Sequence, residues 1–385
     1  MRKVSTAAFA LAFLAALVAV PASATPSDGQ RVSLIVVLDD SVPNAAPVAA
    51  QHSQRFGGAL SRVYENALKG YAFSVPQARL GELLSDPRVA SVEVDGVMTA
   101  SVTQTGATWG IDRIDQRSRP LSGTFTYNAT GAGVKAYVID TGIHASHTQF
   151  GGRVVQGRDT VDGALPAADC HGHGTHVAGT VGGSIHGVAK GVTLVAVRVL
   201  NCQGSGSTSG VIAGVDWVTG NHLPGQPAVA NMSLGGGVST ALDTAVRNSI
   251  ADGVSYAVAA GNGNIFGQAV NACNGSPSRV AEAMTISATD STDRKASWAN
   301  YGNCVDWFAP GVSITSAWYT SNTATRTISG TSMATPHTAG VAAQYLQGNP
   351  TASPATVRTT LFNLTTKSIV TSSNTVNNHL LFTNF

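Results

Sequence analysis

The amino-acid sequence predicts an α/β protein in which a mostly parallel sheet is flanked by helices and preceded by a small α+β domain. In the larger part of the chain, apolar and β-branched runs alternate with helix-like stretches, which is typical of parallel sheets covered on both faces. The strand-like runs lie at 134–139, 194–199, 229–232, 254–259 and 283–287, and helix-like stretches lie at 210–218 and 240–251. With 43% hydrophobic residues, only 11% charged residues and 42 glycines among 385 residues, the composition suits a compact, loop-rich enzyme.

The first segment, 1–24, has the pattern of an export signal. Two basic residues, Arg2 and Lys3, precede an apolar run from about 7 to 20, and an A-x-A cleavage pattern follows at 22–24. The run is short for a bilayer span of about 20 residues, and no second apolar segment follows it. We therefore expect a cleaved signal peptide and a secreted, extracellular protein with no membrane partner.

The next segment, 25–103, predicts the small α+β domain. Its pattern is a strand at 32–38, a helix at 45–56, strands at 62–64 and 70–75, a helix at 77–85 and a strand at 89–94. This order is that of a split β-α-β, ferredoxin-like unit. The stretch 99–106 that follows is small and polar, so we expect an exposed linker that is open to proteolysis.

Charge and cysteine content restrict the partners and the compartment. The net charge is +2 and the basic residues are scattered singly, which argues against a nucleic-acid partner. An oxidising compartment favours disulfides among the four cysteines, although free buried thiols are the alternative. Four cysteines allow three pairings, of which consecutive pairing would close two loops of about thirty residues and contribute roughly 3 to 4 kcal/mol each. The cysteines are Cys170, Cys202, Cys273 and Cys304.

An acid and a histidine stand at the ends of predicted elements. Asp140 follows the run 134–139, so it is expected at the carboxyl end of a buried strand, where sites of open α/β sheets collect; an acid that merely starts a turn is the alternative. The glycine-rich run 171–176 predicts a tightly started helix with His173 in its first turn. Three histidines within this run also suggest a metal site. However, the chain has no H-E-x-x-H motif, and its only glutamate after residue 93 is Glu282.

An asparagine and a serine follow further along the chain. The run 254–259 leads to Asn262, whose amide could donate a hydrogen bond to a developing oxyanion, unless Asn262-Gly263 is only a turn. Ser332 precedes a helix-like run and is either a helix N-cap or a nucleophile in a first turn, where free N–H groups favour negative charge. The local sequence favours the cap. The ordered set of Asp140, His173 and Asn262 favours the nucleophile.

These residues resemble the motifs of one enzyme family. Residues from about Trp109 to the C-terminus resemble the subtilisin-like serine proteases, and within them the proteinase K and aqualysin branch, in which the catalytic residues also run Asp, His, Ser. The matching motifs are Asp140-Thr141-Gly142, His173-Gly174-Thr175-His176, Ser233-Leu234-Gly235-Gly236 and Gly330-Thr331-Ser332-Met333-Ala334-Thr335-Pro336-His337. The resemblance implies that 104–385 is the catalytic domain of a serine endopeptidase with a subtilisin-like fold.

The same resemblance implies a role for each residue. Ser332 would attack the peptide carbonyl, His173 would carry the proton, Asp140 would orient the imidazole, and the Asn262 side chain with the Ser332 N–H would hold the oxyanion. Two walls of a small, uncharged S1 pocket would accept apolar or aromatic P1 side chains of protein and peptide substrates, and another segment would pair with extended substrate. The wall residues are Ser233, Leu234, Gly235, Ala260 and Gly261, and the pairing segment is Gly204, Ser205 and Gly206. Thr208 stands where proteinase K has a tyrosine lid over S4, so the P4 preference stays open.

The segment 25–103 resembles the inhibitor propeptides of the same family, through its stretches 67–73 and 86–95. The resemblance implies that this unit is an intramolecular chaperone and inhibitor, which the protease removes by self-processing between about 100 and 108. An ordinary domain retained in the mature protein is the alternative. We expect the mature protein to be a monomer.

The resemblance also bears on disulfides and metal. The cysteine positions match the aqualysin pattern, which favours the pairs Cys170–Cys202 and Cys273–Cys304. A structural Ca²⁺ would be held by the Asp306 carboxylate and the backbone carbonyls of Ala281 and Ala283, unless Asp306 is an ordinary buried acid. A second family site would use Asp112, Asp115 and Gln116, with further ligands at Ser122 and Thr124. At Ser122 the family acid is missing.

Two other classes of function compete with this prediction. The first is a catalytically inactive secreted binding protein on the same scaffold, because a fold does not guarantee activity. The second is a lipase or esterase of the α/β-hydrolase class. That class runs Ser, Asp, His and uses a G-x-S-x-G motif, which the sequence lacks.

Overall fold

The computed structural model of the protein describes residues 31–96 and 102–385. They belong to two compact units that divide between Thr99 and Ala100. The predicted signal peptide at 1–24 lies outside the described residues. None of the helices in the described ranges is long and apolar enough to cross a membrane.

The first unit is a four-stranded antiparallel sheet with two helices. The strands β1 (Arg31–Leu38), β2 (Ala59–Tyr64), β3 (Gly70–Pro76) and β4 (Val89–Val94) lie in the order β2-β3-β1-β4, and the helices are α1 (Ala45–Phe56) and α2 (Leu80–Leu84). Alternate residues of β1 and β3, such as Leu34 and Phe73, pack against Phe56 and Leu83 of the helices. The order of elements is the one that the sequence predicts for a split β-α-β unit.

The second unit is built on a seven-stranded sheet in which every pairing is parallel. The strands are β7 (Lys135–Asp140), β8 (Val154–Asp159), β9 (Thr193–Arg198), β10 (Ala228–Met232), β11 (Ser255–Ala259), β12 (Met284–Thr289) and β13 (Trp307–Pro310). Their order in the sheet is β13-β12-β11-β10-β7-β9-β8. The prediction of a mostly parallel α/β sheet is confirmed.

Helices cover both faces of this sheet. In β7 the side chains alternate: Ala136 and Val138 join the core on one side, whereas Tyr137 and Ile139 join the core on the other. The first side is covered by α4 (His173–Gly182), α7 (Thr331–Gly348) and α8 (Pro354–Leu364), and the second by α5 (Thr208–Asn221) and α6 (Thr240–Asp252). Strands buried on both faces need near-continuous apolar sequence, which explains why these runs are recognisable in the sequence.

Short elements complete the second unit, and one of them corrects a prediction. Strand β5 (Val102–Thr105) pairs with β6 (Thr124–Tyr127), β14 (Ile314–Ala317) pairs with β15 (Thr325–Ile328), and α3 (Trp109–Ile114) is a short helix. The prediction of an exposed linker at 99–106 is therefore wrong in part: 102–105 form a strand, although Val102, Thr103 and Thr105 are exposed as predicted. Residues 99–101 lie outside the described residues. The β-branched residues of β5 favour pairing despite their small, polar neighbours. The predicted boundary between 103 and 104 falls within this strand.

Candidate active site

The candidate site lies at the carboxyl edge of the parallel sheet. Strand β7 ends at Asp140, β10 is followed by Ser233, and β11 is followed within three residues by Asn262. From β7 the chain first builds β8 and β9 on one side and then β10 to β13 on the other. A crevice forms at the carboxyl edge where the strand order reverses in this way, and ligands bind there.

Asp140 and His173 form a hydrogen-bonded pair. The Asp140 carboxylate is fully buried, and its Oδ1 lies 2.7 Å from His173 Nδ1 and accepts the Thr141 N–H at 2.7 Å. Because a carboxylate only accepts, Nδ1 must carry the ring hydrogen, and Nε2 is left as an acceptor. A Cβ on Gly174 would lie 2.2 Å from the Gly142 carbonyl oxygen, so glycine lets α4 approach the end of β7 this closely.

A second carboxylate, that of Asp169, supports the first turn of α4. Its Oδ1 accepts the Thr141 hydroxyl at 2.9 Å and the backbone N–H groups of His171 and Gly172 at 2.9 and 2.8 Å. Its Oδ2 accepts the N–H and the hydroxyl of Thr175 at 2.9 and 2.6 Å. The sequence analysis did not identify Asp169. The available signal was an Asp whose next residues can fold back onto its side chain as an Asx-turn.

The three histidines of the motif have different surroundings. Burial by itself would lower the pKa of His173, but the Asp140 charge and hydrogen bond, with the charge of Asp169, outweigh it and raise the pKa. His176 is buried with Nε2 at 3.0 Å from the Ile314 carbonyl oxygen, and burial lowers its pKa to about 3. Within 31–96 and 102–385, no group of three or more His, Cys, Asp or Glu side chains could hold a metal ion.

Ser332 is the second residue of α7 and lies beside Ser233. Its Oγ donates to the Ser233 carbonyl at 3.0 Å, and the Ser233 hydroxyl donates to the Ser332 carbonyl at 2.8 Å. The side chains of Ser332 and His173, both within the described part of the chain, are not hydrogen-bonded to each other. The structure thus brings Ser332 to the crevice, with its hydroxyl hydrogen directed at a carbonyl oxygen.

Thr331 holds the amide of Asn262. Asn262 Oδ1 accepts both the Thr331 N–H and the Thr331 hydroxyl, each at 2.8 Å. The atom that faces a backbone N–H must be the amide oxygen, so the orientation of this amide follows from its partner. The amide nitrogen Nδ2 therefore faces Gly330. A Cβ atom built on that glycine would lie 3.6 Å from Nδ2. The sequence analysis did not identify this role of Thr331.

Two adjoining cavities make up the crevice. One of about 410 Å³ is lined by His171 and His173 together with Gly204, Ser205, Gly206 and Ser233. The other, of about 300 Å³, is lined by Ala260, Gly261, Asn262 and Ser332. Leu234 and Gly235 line both. All eight residues predicted to bind substrate therefore line the crevice, and His171 is a lining residue that the sequence analysis did not identify.

Both disulfides have the consecutive pairing that the resemblance favours. The structure joins Cys170 to Cys202 and Cys273 to Cys304. The first bridge ties the residue before His171 to the segment that leads to Gly204. It therefore joins two segments that line the larger cavity.

Two of the candidate calcium-binding carboxylates, Asp306 and Asp112, already accept hydrogen bonds from donors of the chain itself. Asp306 Oδ2 accepts the Thr285 N–H at 2.8 Å, and Oδ1 accepts the Arg358 guanidinium. At the second family site, Asp112 Oδ1 accepts the Ser122 hydroxyl at 2.9 Å. Beside it, burial raises the pKa of Asp115 to about 6. Calcium stays a prediction at both places, and the guanidinium on Asp306 fits a cation there poorly.

A parallel sheet with a buried aspartate hydrogen-bonded to a histidine, and with a serine at a helix start beside the same crevice, is the arrangement typical of serine hydrolases of the α/β class. Within that class, a family model described as "Subtilase family" matches residues 131–380. The chain belongs to the subtilase family. It is a subtilisin-like serine protease, and this membership excludes the lipase or esterase alternative.

Individual relatives agree with the family. The chain is 58% identical over 330 residues to an "Extracellular serine proteinase" of Thermus sp. (strain Rt41A), a match that covers 86% of this chain and 79% of that protein. It is 49% identical to "Alkaline serine exoprotease A" of Vibrio alginolyticus, over 90% of this chain but only 65% of that protein. The solved structure of a cold-adapted subtilisin-like serine proteinase matches with a TM-score of 0.69 and 54% identity, over 72% of this chain and 98% of that one.

Proposed function

We propose that Ser332, His173 and Asp140 are the nucleophile, the general base and the orienting acid of a peptide-bond hydrolase. The observation that carries this proposal is the 2.7 Å contact between His173 Nδ1 and Asp140 Oδ1, because it leaves Nε2 free to take a proton. In the resting enzyme the Ser332 hydroxyl donates to the Ser233 carbonyl. A rotation about the Ser332 Cα–Cβ bond would transfer that hydrogen bond to Nε2 when substrate binds.

The reaction then proceeds through an acyl-enzyme. Ser332 Oγ adds to the scissile carbonyl carbon as its proton passes to His173 Nε2, and the carbonyl oxygen becomes an oxyanion. Asn262 Nδ2 and the Ser332 N–H donate hydrogen bonds to that oxygen. Collapse expels the amine, which takes the proton from His173, and water repeats the two steps to release the acid.

We propose that the smaller cavity is the S1 pocket and that it accepts apolar or aromatic P1 side chains. Its lining contains no Asp, Glu, Lys or Arg, so a charged side chain would be buried there without an ionic partner. The segment at Gly204, Ser205 and Gly206 would pair with extended substrate. In a series of peptides that differ only at P1, kcat/KM should be higher for Phe and Leu than for Lys and Glu. Equal values across the series would contradict this assignment.

We propose that the protein is secreted as a precursor and that the first unit assists folding and then inhibits the protease. Support comes from the export-like sequence at 1–24, from the split β-α-β fold of the first unit and from the family resemblance. Mass spectrometry of the secreted chain beside its Ser332→Ala variant tests self-processing. Only the chain with Ser332 should lose the first unit. Equal processing of both would show that another protease removes it.

A catalytically inactive binding protein is the second candidate, because the Ser332 hydroxyl is not hydrogen-bonded to His173. A fluorophosphonate probe distinguishes the two candidates after the first unit has been removed. An active site should label, and the Ser332→Ala variant should not. A chain that neither labels nor hydrolyses casein would be the binding protein.

A further inference from the structure

The Asp306 carboxylate is held between a strand edge and a helix. Asp306 immediately precedes β13, where its N–H donates to the Thr285 carbonyl at 2.9 Å, and the Thr285 N–H donates back to Asp306 Oδ2 at 2.8 Å. The side chain is only 10% exposed. The carboxylate therefore cannot turn towards water without breaking the hydrogen bond from the Thr285 N–H. A buried anion fixed in this way requires a compensating positive charge.

Arg358 supplies that charge from α8. Val357 and Leu361, both fully buried, anchor this helix against the core. Their packing fixes the place from which the Arg358 side chain extends. Its Nη2 donates to Asp306 Oδ1, while 38% of the side chain remains exposed. The Arg358 side chain thus extends from the surface to Asp306 Oδ1, the carboxylate oxygen that does not accept the Thr285 N–H.

This arrangement disagrees with the calcium site that the family resemblance implies. Calcium takes six to eight oxygen ligands, and the candidate set is one carboxylate and the carbonyls of Ala281 and Ala283. A guanidinium already neutralises the carboxylate and would repel a divalent cation bound to the same group. The nearby acid, Glu282, is 51% exposed, and its Oε2 lies 3.4 Å from Arg247 Nε, so it is engaged by another cation.

We propose that Arg358 is an internal counter-ion that takes the place of calcium at Asp306, so that the β12–β13 edge and α8 are joined without a metal. Arginine suits this task because its guanidinium keeps its charge at every relevant pH and binds carboxylates directionally. Removal of the guanidinium should uncover the family site. The carboxylate and the nearby carbonyls would then be free to bind a cation.

Thermal unfolding of the full chain tests the proposal, with Ser332→Ala present throughout to prevent self-digestion. Tm is measured in EGTA and in excess CaCl₂ for four chains: the parent, Asp306→Asn, Arg358→Met and the double variant. Arg358→Met should unfold at a lower temperature than the parent in EGTA. It should regain roughly 3 to 5 °C when free calcium is about one hundred times its Kd.

Comparison of the four chains assigns the calcium response to a site. In the double variant, Asp306→Asn should abolish the rise in Tm that Arg358→Met gains from calcium. Alone, Asp306→Asn should leave any calcium response of the parent unchanged, since that response would come from another site. Arg247→Met is the matched control, because it removes an exposed guanidinium beside the same segment and should gain no response.

Two results would overturn the proposal. One is a calcium response of the parent that Asp306→Asn removes, because calcium would then bind Asp306 despite the guanidinium. The other is an Arg358→Met variant with no added response. If Arg358→Met folds only in calcium, the proposal is supported. If it folds in neither condition, Arg358→Lys decides the matter: it keeps the charge, so a calcium response that depends on Asp306 in this variant would also overturn the proposal.

Discussion

Replacement of Thr331 by valine would test how the amide of Asn262 is positioned for catalysis. The Thr331 hydroxyl donates to Asn262 Oδ1 at 2.8 Å and accepts the Gly261 N–H at 3.1 Å. Valine has nearly the same shape but lacks the hydroxyl. The Thr331 N–H still donates to Asn262 Oδ1 at 2.8 Å, so the amide keeps its orientation and loses one of two restraints.

The size of the effect follows from the bond that is lost. A neutral hydrogen bond contributes about 0.5 to 1.5 kcal/mol net, and about 1.4 kcal/mol corresponds to a tenfold change in rate. We therefore expect Thr331→Val to lower kcat roughly 2- to 13-fold. KM should hardly change, because the oxyanion exists only in the transition state and the tetrahedral intermediate. Removal of the donor itself in Asn262→Ala should lower kcat roughly 100- to 1000-fold.

The assay is steady-state hydrolysis of a chromogenic peptide with Phe at P1. Thr331→Ser retains the hydroxyl and serves as the matched control, so its kcat should stay close to that of the parent. In the Asn262→Ala background, Thr331→Val should cost nothing further, since the group that it positions is absent. A similar loss of kcat in both backgrounds would refute the reasoning, because the hydroxyl would then act independently of the amide.

Two further predictions concern the support of α4. Asp169→Asn removes one of the charges that raise the pKa of His173. Protonation of His173 would cause the fall of kcat/KM at acid pH, so the midpoint of that fall should move to lower pH in the variant. An unchanged midpoint would show that Asp169 acts only as a hydrogen-bond acceptor. Replacement of Cys170 and Cys202 by serine removes a cross-link with a sequence separation of 32 and should lower the unfolding free energy by roughly 3 to 4 kcal/mol. Urea unfolding of the Ser332→Ala chain measures this change, and a loss typical of a surface substitution would contradict it.

The central strands and the site at their ends were predictable because burial leaves a clear pattern. A strand covered on both faces must be apolar along its whole length, so the runs before Asp140, Ser233 and Asn262 are easily recognised. Parallel pairing then places the carboxyl ends of these strands at one edge of the sheet. The order of the motifs was therefore enough to predict that Asp140, Ser233 and Asn262 lie at one edge of the sheet, although it carried no information about the distances between their side chains.

Contacts between side chains distant in sequence were not predictable in the same way. Asp306 and Arg358 are 52 positions apart. The sequence around an arginine on a partly exposed helix does not indicate which acid it pairs with. The direction of the Ser332 hydroxyl depends on the carbonyl of Ser233, the residue that follows β10, 99 positions away in the sequence. The four residues of β5 were too few and too polar to distinguish from a linker, and only their pairing with β6 defines them.

The two helices that begin at the crevice explain why His173 has a second carboxylate beneath it. His173 is the first residue of α4 and Ser332 is the second of α7, so both lie at the positive end of a helix dipole. That end favours an oxyanion beside Ser332 but opposes an imidazolium at His173. Asp140 and Asp169 lie only on the histidine side, and the smaller cavity beside Ser332 is lined by no acid. The two carboxylates together raise the pKa of His173 despite the opposing effect of burial. In the proposed mechanism they would therefore stabilise an imidazolium at His173, while the positive end of α7 would stabilise the oxyanion beside Ser332.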